Sequence, residues 1–454
     1  MAASSADSTF DVAPIAEPSH AGPAAHGGIH ERLLGGIGWS AAASVLAQGC
    51  SFLTMVLLAR VMGREPFGQF ALIQSTMVSL TTVSGLGLGI TATKYVSQYR
   101  VSNPAKAGRI LGLSALVTLA AAILFTVGLG LSTRFASLAV GRAAEFQSAL
   151  RISMVYVFFI TITCSQTGGL AGFEAFRKIA TINAIYGFAT FASSWVLANR
   201  WGLPGAVWGQ GIGAILLWMM NEAALTAHCR DRGIIIRYRR VWEERHVLLR
   251  FAIPAAACGM VSSAATWAAN VLLVRRSGFT ELAIFSAALS LRSIVLFVPA
   301  LVLRVSTPLL NNLLATRQAA AYRRVFLSIT GLNVVIALGV ALVLSLAGSR
   351  ILHLFGKDFS SSGWLPPTLL AAVVLEVLAN NLFQALFTSG KLWRHLAILS
   401  LWAILLLIGA GLLSPKYGAS GLAASYFMAW LASAALYSIA ARRQLDRRGT
   451  HAAT

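Results

Sequence analysis

The stretch Arg60–Gln74, RVMGREPFGQFALIQ, interrupts an apolar run with two arginines, a glutamate, a proline and two glycines, then turns apolar again. A worn copy, RRSGFTELAIFSAAL, stands at Arg275–Leu289. Each reads as a turn between two apolar spans, with Pro66 and Gly68 opening the second helix of the first copy. Gly63 and Phe70 match Gly278 and Phe285. Two more anchors recur at nearly the same spacing. Phe176-Arg177 matches Trp393-Arg394, and Gly202 and Gly205 of WGLPG match Gly418 and Gly421 of YGASG. Three anchors at offsets of 215 to 217 residues mark an internal duplication.

The units that repeat are membrane spans. Of the 454 residues 57% are hydrophobic and 11% charged, whereas soluble domains are roughly a quarter charged. Continuous apolar runs of about 20 residues are helical spans, not barrel strands, which alternate in polarity. The net charge is +21, from 36 Lys+Arg and 15 Asp+Glu. In a soluble chain that would point to nucleic acid. Here no RNA-binding or zinc-finger motif accompanies it, and basic inner loops facing anionic lipid explain it. Cys50, Cys164, Cys229 and Cys258 form no CxxC pair and read as free thiols, and no metal site or cofactor is expected.

Twelve spans are predicted: 36–60, 68–92, 110–132, 150–170, 179–199 and 205–227, then 250–274, 282–304, 326–347, 366–388, 395–413 and 420–440. With the N-terminus inside, inner segments hold about twice as many Lys and Arg as outer ones, so both termini are expected in the cytoplasm. The domain reading is a disordered cytoplasmic tail (1–32), a six-helix lobe (33–228), a basic linker on the cytoplasmic interface (229–249), a second six-helix lobe (250–441) and a basic tail (442–454). The linker's Ile234–Ile236 and Trp242 are expected in the headgroup region. Six spans per repeat return the chain to the same side, so the two lobes are parallel repeats around a central cavity. Such symmetry suits a transporter that exposes a site between its halves alternately to either side.

The residues LARVMGREPFGQFALIQS followed by SGLGLGITATKYVSQY resemble the first two helices of the polysaccharide (oligosaccharide-lipid) flippases, within the multidrug/oligosaccharidyl-lipid/polysaccharide exporter superfamily. Gly63, Glu65, Phe67, Gly68 and Phe70 carry the match, with Gly85-Leu86-Gly87 before Lys94-Tyr95, the loop Gly172–Lys178, and Gly202 and Gly205. The resemblance covers about 33–441. It implies transport of undecaprenyl-diphosphate-linked oligosaccharide from the cytoplasmic to the outer leaflet of the bacterial inner membrane, for surface or exopolysaccharide biosynthesis. Lipid-linked oligosaccharide and membrane lipids are the partners implied, with a polysaccharide polymerase and export machinery beyond them. These motifs define the fold and carry over no substrate residues.

Such a substrate must move a diphosphate and several sugars across about 30 Å of hydrocarbon, so the cavity has to be hydrated, cationic and hydrogen-bonding. Arg292, in SAALSLRSIVLFVP, is the leading candidate. A midplane Arg costs about 2.5–3.5 kcal/mol on translocon-based scales and faces a cavity or a partner. Its planar fork binds phosphate; the other reading pairs it with a carboxylate or helix-end carbonyls. Glu376, Asn380 and Gln384 in LEVLANNLFQALF follow i, i+4, i+8 spacing and form one polar stripe. They either hydrogen-bond sugar hydroxyls, with Glu376 taking up a proton in a coupled cycle, or form a structural seam with Glu376 neutral or paired to Arg292. Asn270, Gln48, Gln74, Lys94 and Arg304 complete the candidate set. Lys94 and Arg304 also fit snorkelling to headgroups, Asn270 a cap near Arg275, and the glutamines interhelical bonds. GLGLG at 85–89 and GQGIG at 209–213 are read as helix-packing glycines, since they lack the context of a nucleotide loop.

The alternative on the same fold is a multidrug or small-cation antiporter, which calls for central carboxylates in the first five spans; none is found there. An enzyme, such as a polymerase or glycosyltransferase, calls for a sizeable external loop, and no outer segment exceeds about twenty residues on the span limits above.

Overall fold

The computed structural model describes residues 26–85, 87–140, 144–238, 241, 253–316, 318–359, 363–387 and 392–451. Among them the chain is almost entirely helical and holds no strand. The first half comprises α1 (His26–Met62), α2 (Arg64–Ser84), α3 (Leu88–Ser102), α4 (Pro104–Val140), α5 (Ala144–Gly172) and α6 (Phe176–Asp231). The second comprises α7 (Ile253–Ser277), α8 (Phe279–Ala315), α9 (Ala319–Leu346), the short α10 (Gly348–His353), α11 (Leu365–Phe387) and α12 (Leu392–His451). Among the described residues nine helices are long and apolar enough to cross a membrane, or ten with the bent pair α2–α3 counted as one. The protein is a multi-pass integral membrane protein.

Two of these helices are too long for one crossing. At 56 residues a straight α6 would measure about 84 Å, against a hydrocarbon core of about 30 Å. Gly202 breaks it at φ 57°, ψ −133°, and Gly418 breaks α12 at φ 55°, ψ −130°. Both sit in the left-handed φ region that glycine tolerates. The arms then fold back on each other. A side chain at Gly205 would collide with the Leu197 carbonyl, and one at Gly213 with the Thr190 side chain. Gly421 meets Leu413 in the same way in α12. Each is a helical hairpin turned on one glycine, where separate spans with short loops were expected. With each hairpin counted as two crossings and α2–α3 as one, the helices are compatible with twelve crossings and with the duplication.

The turns quoted from the sequence also correspond. Gly63 at φ 80° separates α1 from α2, and Gly278 at φ 89° separates α7 from α8. Pro66 falls in the first turn of α2, where its missing N–H is not needed. Phe67 and Phe70, and their counterparts Leu282 and Phe285, are fully buried in one core shared by both halves.

One expectation is corrected. The span predicted at 68–92 is not one helix: α2 ends at Ser84, Gly87 takes φ 64°, and α3 leaves at 42°. Close contact of Gly89 in α3 with Gly168 in α5 fixes the new direction, which is the helix-packing role read for that glycine run. The described part of the linker segment packs partly on the protein itself, while Ile235 stays exposed. Residues 234–237 run against α4, where the Arg237 N–H donates to the Gly108 carbonyl at 3.3 Å. Ile234 and Val241 are buried, because Gly108 and Gly112 leave room for the extended backbone. Residues 1–25, Trp242 and the rest of the linker to 252 lie outside the described residues. The basic C-terminal segment continues α12 as helix to His451.

Candidate functional site

The site is positioned by the seam between the halves. At the end of the molecule that carries the Gly63 and Gly278 turns, α2 packs directly on α8: a side chain at Gly68 would strike the Phe279 carbonyl. Phe67 packs edge-on against Phe359, centroids 5.8 Å apart, and Phe52 against Phe355 at 5.9 Å. Arg60 Nε donates to the Leu354 carbonyl. Further along, α2 runs antiparallel to α7 through three polar contacts. Asn270 Nδ2 donates to Ser75 Oγ at 2.9 Å, Trp267 Nε1 to Thr76 Oγ1 at 3.0 Å, and Ser79 Oγ to the Ser263 carbonyl at 3.0 Å.

Behind this seam lies a cavity of about 690 Å³. Its walls come from α2 and from α7, α8, α11 and both arms of α12, with Met55 of α1 at the edge. Five candidates from the sequence line it together: Gln74, Asn270, Arg292, Glu376 and Asn380. Arg292 and Glu376 form a bidentate ion pair. Arg292 Nε donates to Glu376 Oε2 at 2.7 Å, and Nη2 donates to Oε1. The two partners are unequally placed, with 42% of the Arg292 side chain exposed and 6% of Glu376. The carboxylate therefore backs the guanidinium, whose free edge faces the cavity.

The other candidates lie elsewhere. Gln384 is half-buried on α11 beyond the cavity. Eight residues advance a helix by about 12 Å and rotate the face by about 80°, so the stripe that begins at Glu376 leaves the cavity before reaching Gln384. Gln48 is half-buried on α1, where neighbouring Ala47 packs on Gly187 of α6. Lys94 is exposed on α3, with its ammonium over the Tyr95 ring at 5.5 Å. Arg304 lies on α8, and its side chain is outside the described residues. Asn270 is not a cap: it is 6% exposed, inside α7, and bonded across the seam. Adjacent to the stripe, Asn381 accepts from Asn333 Nδ2 at 2.8 Å and ties α11 to α9.

Sequence reasoning missed two features of the walls. One is the hydroxyls on α2, α7 and α8, including Ser75, Ser79, Ser263, Thr266 and Ser290. The run QSTMVS at 74–79, polar for an apolar span, was the available signal. The other is an aromatic wall on α12, formed by Trp402, Tyr426 and Trp430. No local pattern unites these residues, because they come from two arms of a hairpin.

A family model described as "Polysaccharide biosynthesis protein" matches residues 33–314. The EPS I polysaccharide export inner membrane protein EpsE of Ralstonia solanacearum is 24% identical over 397 residues, covering 83% of this chain and 85% of that protein. A multidrug resistance MATE family transporter of the MOP superfamily, solved in an inward-facing conformation, shares the fold with a TM-score of 0.73. It is 15% identical, covering 89% of this chain and 96% of that one. A MOP superfamily transporter from Pyrococcus furiosus aligns with a TM-score of 0.68 and 15% identity, covering 91% of this chain and 96% of that one. On the span of the family match, this chain belongs to the polysaccharide biosynthesis protein family, built on the fold of MOP superfamily transporters.

Proposed function

We propose that this protein is an inner-membrane transporter that flips undecaprenyl-diphosphate-linked oligosaccharide from the cytoplasmic to the outer leaflet for exopolysaccharide assembly. Family membership and the name of the Ralstonia relative support polysaccharide export. The observation that carries the substrate class is the half-exposed guanidinium of Arg292, held from behind by a buried carboxylate. Two of its donors are taken by Glu376, and those that remain point to a cavity where a diphosphate would complete the fork. In this reading Glu376 is a positioning residue.

The lobes at 33–228 and 250–441, joined through the segment packed on α4, are the moving bodies of an alternating-access cycle. With both termini in the cytoplasm, the sealed end of the seam faces outward, and the cavity belongs to an inward-facing state. A polymerase and export machinery would receive the flipped glycan. An antiporter for cationic drugs shares the fold, but among the described residues the one carboxylate lining this cavity is already engaged by Arg292.

The test is deletion of the gene in a strain without a redundant flippase. Surface polysaccharide should disappear and lipid-linked repeat units accumulate in the inner leaflet. Wild-type protein should restore export and R292Q should not. Normal surface polysaccharide in the deletion strain would end this reading, and drug sensitivity without glycan loss would favour the antiporter.

A further inference from the structure

We propose that the aromatic wall of α12 is a carbohydrate-stacking subsite, which takes uncharged sugar rings of the glycan while Arg292 takes the diphosphate. This rests on the flippase reading and assigns the glycan its own surface within the cavity.

The wall is assembled by the hairpin. Trp402 comes from the first arm of α12, and Tyr426 and Trp430 from the second, one turn apart on the same face. The Trp402 and Trp430 ring centroids lie 5.2 Å apart at 46°, and those of Trp402 and Tyr426 lie 6.2 Å apart at 73°. Phe285 of α8 braces Tyr426 at 5.7 Å. Trp402 and Tyr426 are buried within the wall, and Trp430 is the half-buried ring nearer the open space.

A pyranose chair has a face of C–H groups and a rim of hydroxyls. Its C–H face packs on an aromatic surface, which offers large rigid area at little entropic cost. Its hydroxyls need polar partners once out of water. This cavity answers both needs: aromatic rings on α12, and serine and threonine hydroxyls on α2 and on α7, which packs against α12. These hydroxyls already donate within the protein, Ser79 to the Ser263 carbonyl and Ser262 to the Cys258 carbonyl, and their oxygen lone pairs remain to accept from sugar hydroxyls.

Charge narrows the class of sugar. Among the described residues the ionisable lining groups are Arg292 and Glu376, which neutralise each other, His395, the thiol of Cys258 and the phenol of Tyr426. Among the described residues no second Arg or Lys lines the cavity to meet a uronate. Neutral hexoses and N-acetylhexosamines fit; acidic sugars at this position do not.

The experiment measures binding to the full-length protein in lipid nanodiscs with two probes. One is undecaprenyl diphosphate, and the other is the same lipid carrying a neutral trihexose. W430L should weaken the glycosylated probe by about tenfold or more and leave the bare diphosphate unchanged, while W430F retains most of the affinity. R292Q should weaken both. The bare probe doubles as the folding control, and W430M, unbranched and apolar, repeats the comparison if W430L is unstable. Equal loss of both probes in a folded variant, or loss of neither, would overturn the subsite and leave the flippase reading standing. If the wild type binds neither probe, the flippase reading falls and the subsite with it.

Discussion

Arg292 and Glu376 show why a buried pair has to be read as a unit. Each alone is expensive in hydrocarbon, and together they stand 84 residues apart in sequence on different helices. Their individual oddity is visible in the sequence; their pairing is not, because nothing local links α8 to α11. Two readings of Glu376 follow, and they predict different variants. If Glu376 positions Arg292, E376Q keeps an acceptor for the guanidinium and should retain most export, whereas E376A should not. If Glu376 carries a coupled proton, E376Q should be as inactive as E376A. We expect the first outcome. Replacing both partners with leucine should restore the stability lost in E376A, since a buried pair exchanged for apolar side chains is often neutral, yet export should stay absent. Thermal unfolding in detergent and glycan export in the deletion strain, measured on the same variants, separate these effects. R292K should also export poorly, because an ammonium lacks the planar fork.

At the scale of elements, the two hairpins are near copies with one local difference. Gly202 and Gly418 share φ and ψ to within a few degrees, but their surroundings differ. Nothing lies within 4 Å of a side chain at Gly202. At Gly418 a side chain would strike the Glu281 carboxylate, which accepts the Ala419 N–H at 2.7 Å and so caps the second arm. G202A should cost about 1–3 kcal/mol from backbone strain alone. G418A should cost more, by about 1 kcal/mol for the displaced hydrogen bond. E281Q in the G418A background should recover little of it, since the collision is steric. Unfolding temperatures of the purified variants check the order, and equal losses would mean that Glu281 swings aside freely. WGLPG and YGASG were legible as repeat anchors because glycines at fixed offsets survive where side chains drift. Their geometry was not legible: a turn made on one residue leaves no loop to find. The break between α2 and α3 escaped for a related reason, since GLGLG is apolar enough to pass as helix until Gly89 meets Gly168.

At the scale of the whole molecule, the two halves of the chain meet tightly at the end that carries Gly68 and Phe279. The protein's membrane class follows from composition over the entire chain, and the three pairs of anchors read as a duplication with which the helix order is compatible. The cavity walls depend instead on how helices from both halves rotate toward each other, and hydrophobic periodicity carries little of that in a chain apolar on most faces. That is why Arg292 was legible and the aromatic wall was not. The same closure exposes a lever on the transport cycle. Gly68 belongs to the first copy of the turn motif and Phe279 to the second, and α2 touches α8 there with no room for a side chain. Overpacking a tight contact costs about 1–3 kcal/mol, and at about 1.4 kcal/mol per tenfold this shifts a two-state ratio by about five- to 150-fold. G68L should therefore disfavour the state sealed at this end and populate the state open there. A cysteine at Ser290, which lines the cavity, reports the change in a background where the four native cysteines are replaced. With the sealed state dominant, S290C should react with a membrane-impermeant thiol reagent added from the cytoplasmic side. Combined with G68L it should react from the outer side, and export should fall because the cycle is held at one end. Reaction from the same side with and without G68L would show that Gly68 packs a static interface, and the seam would no longer count as the moving joint.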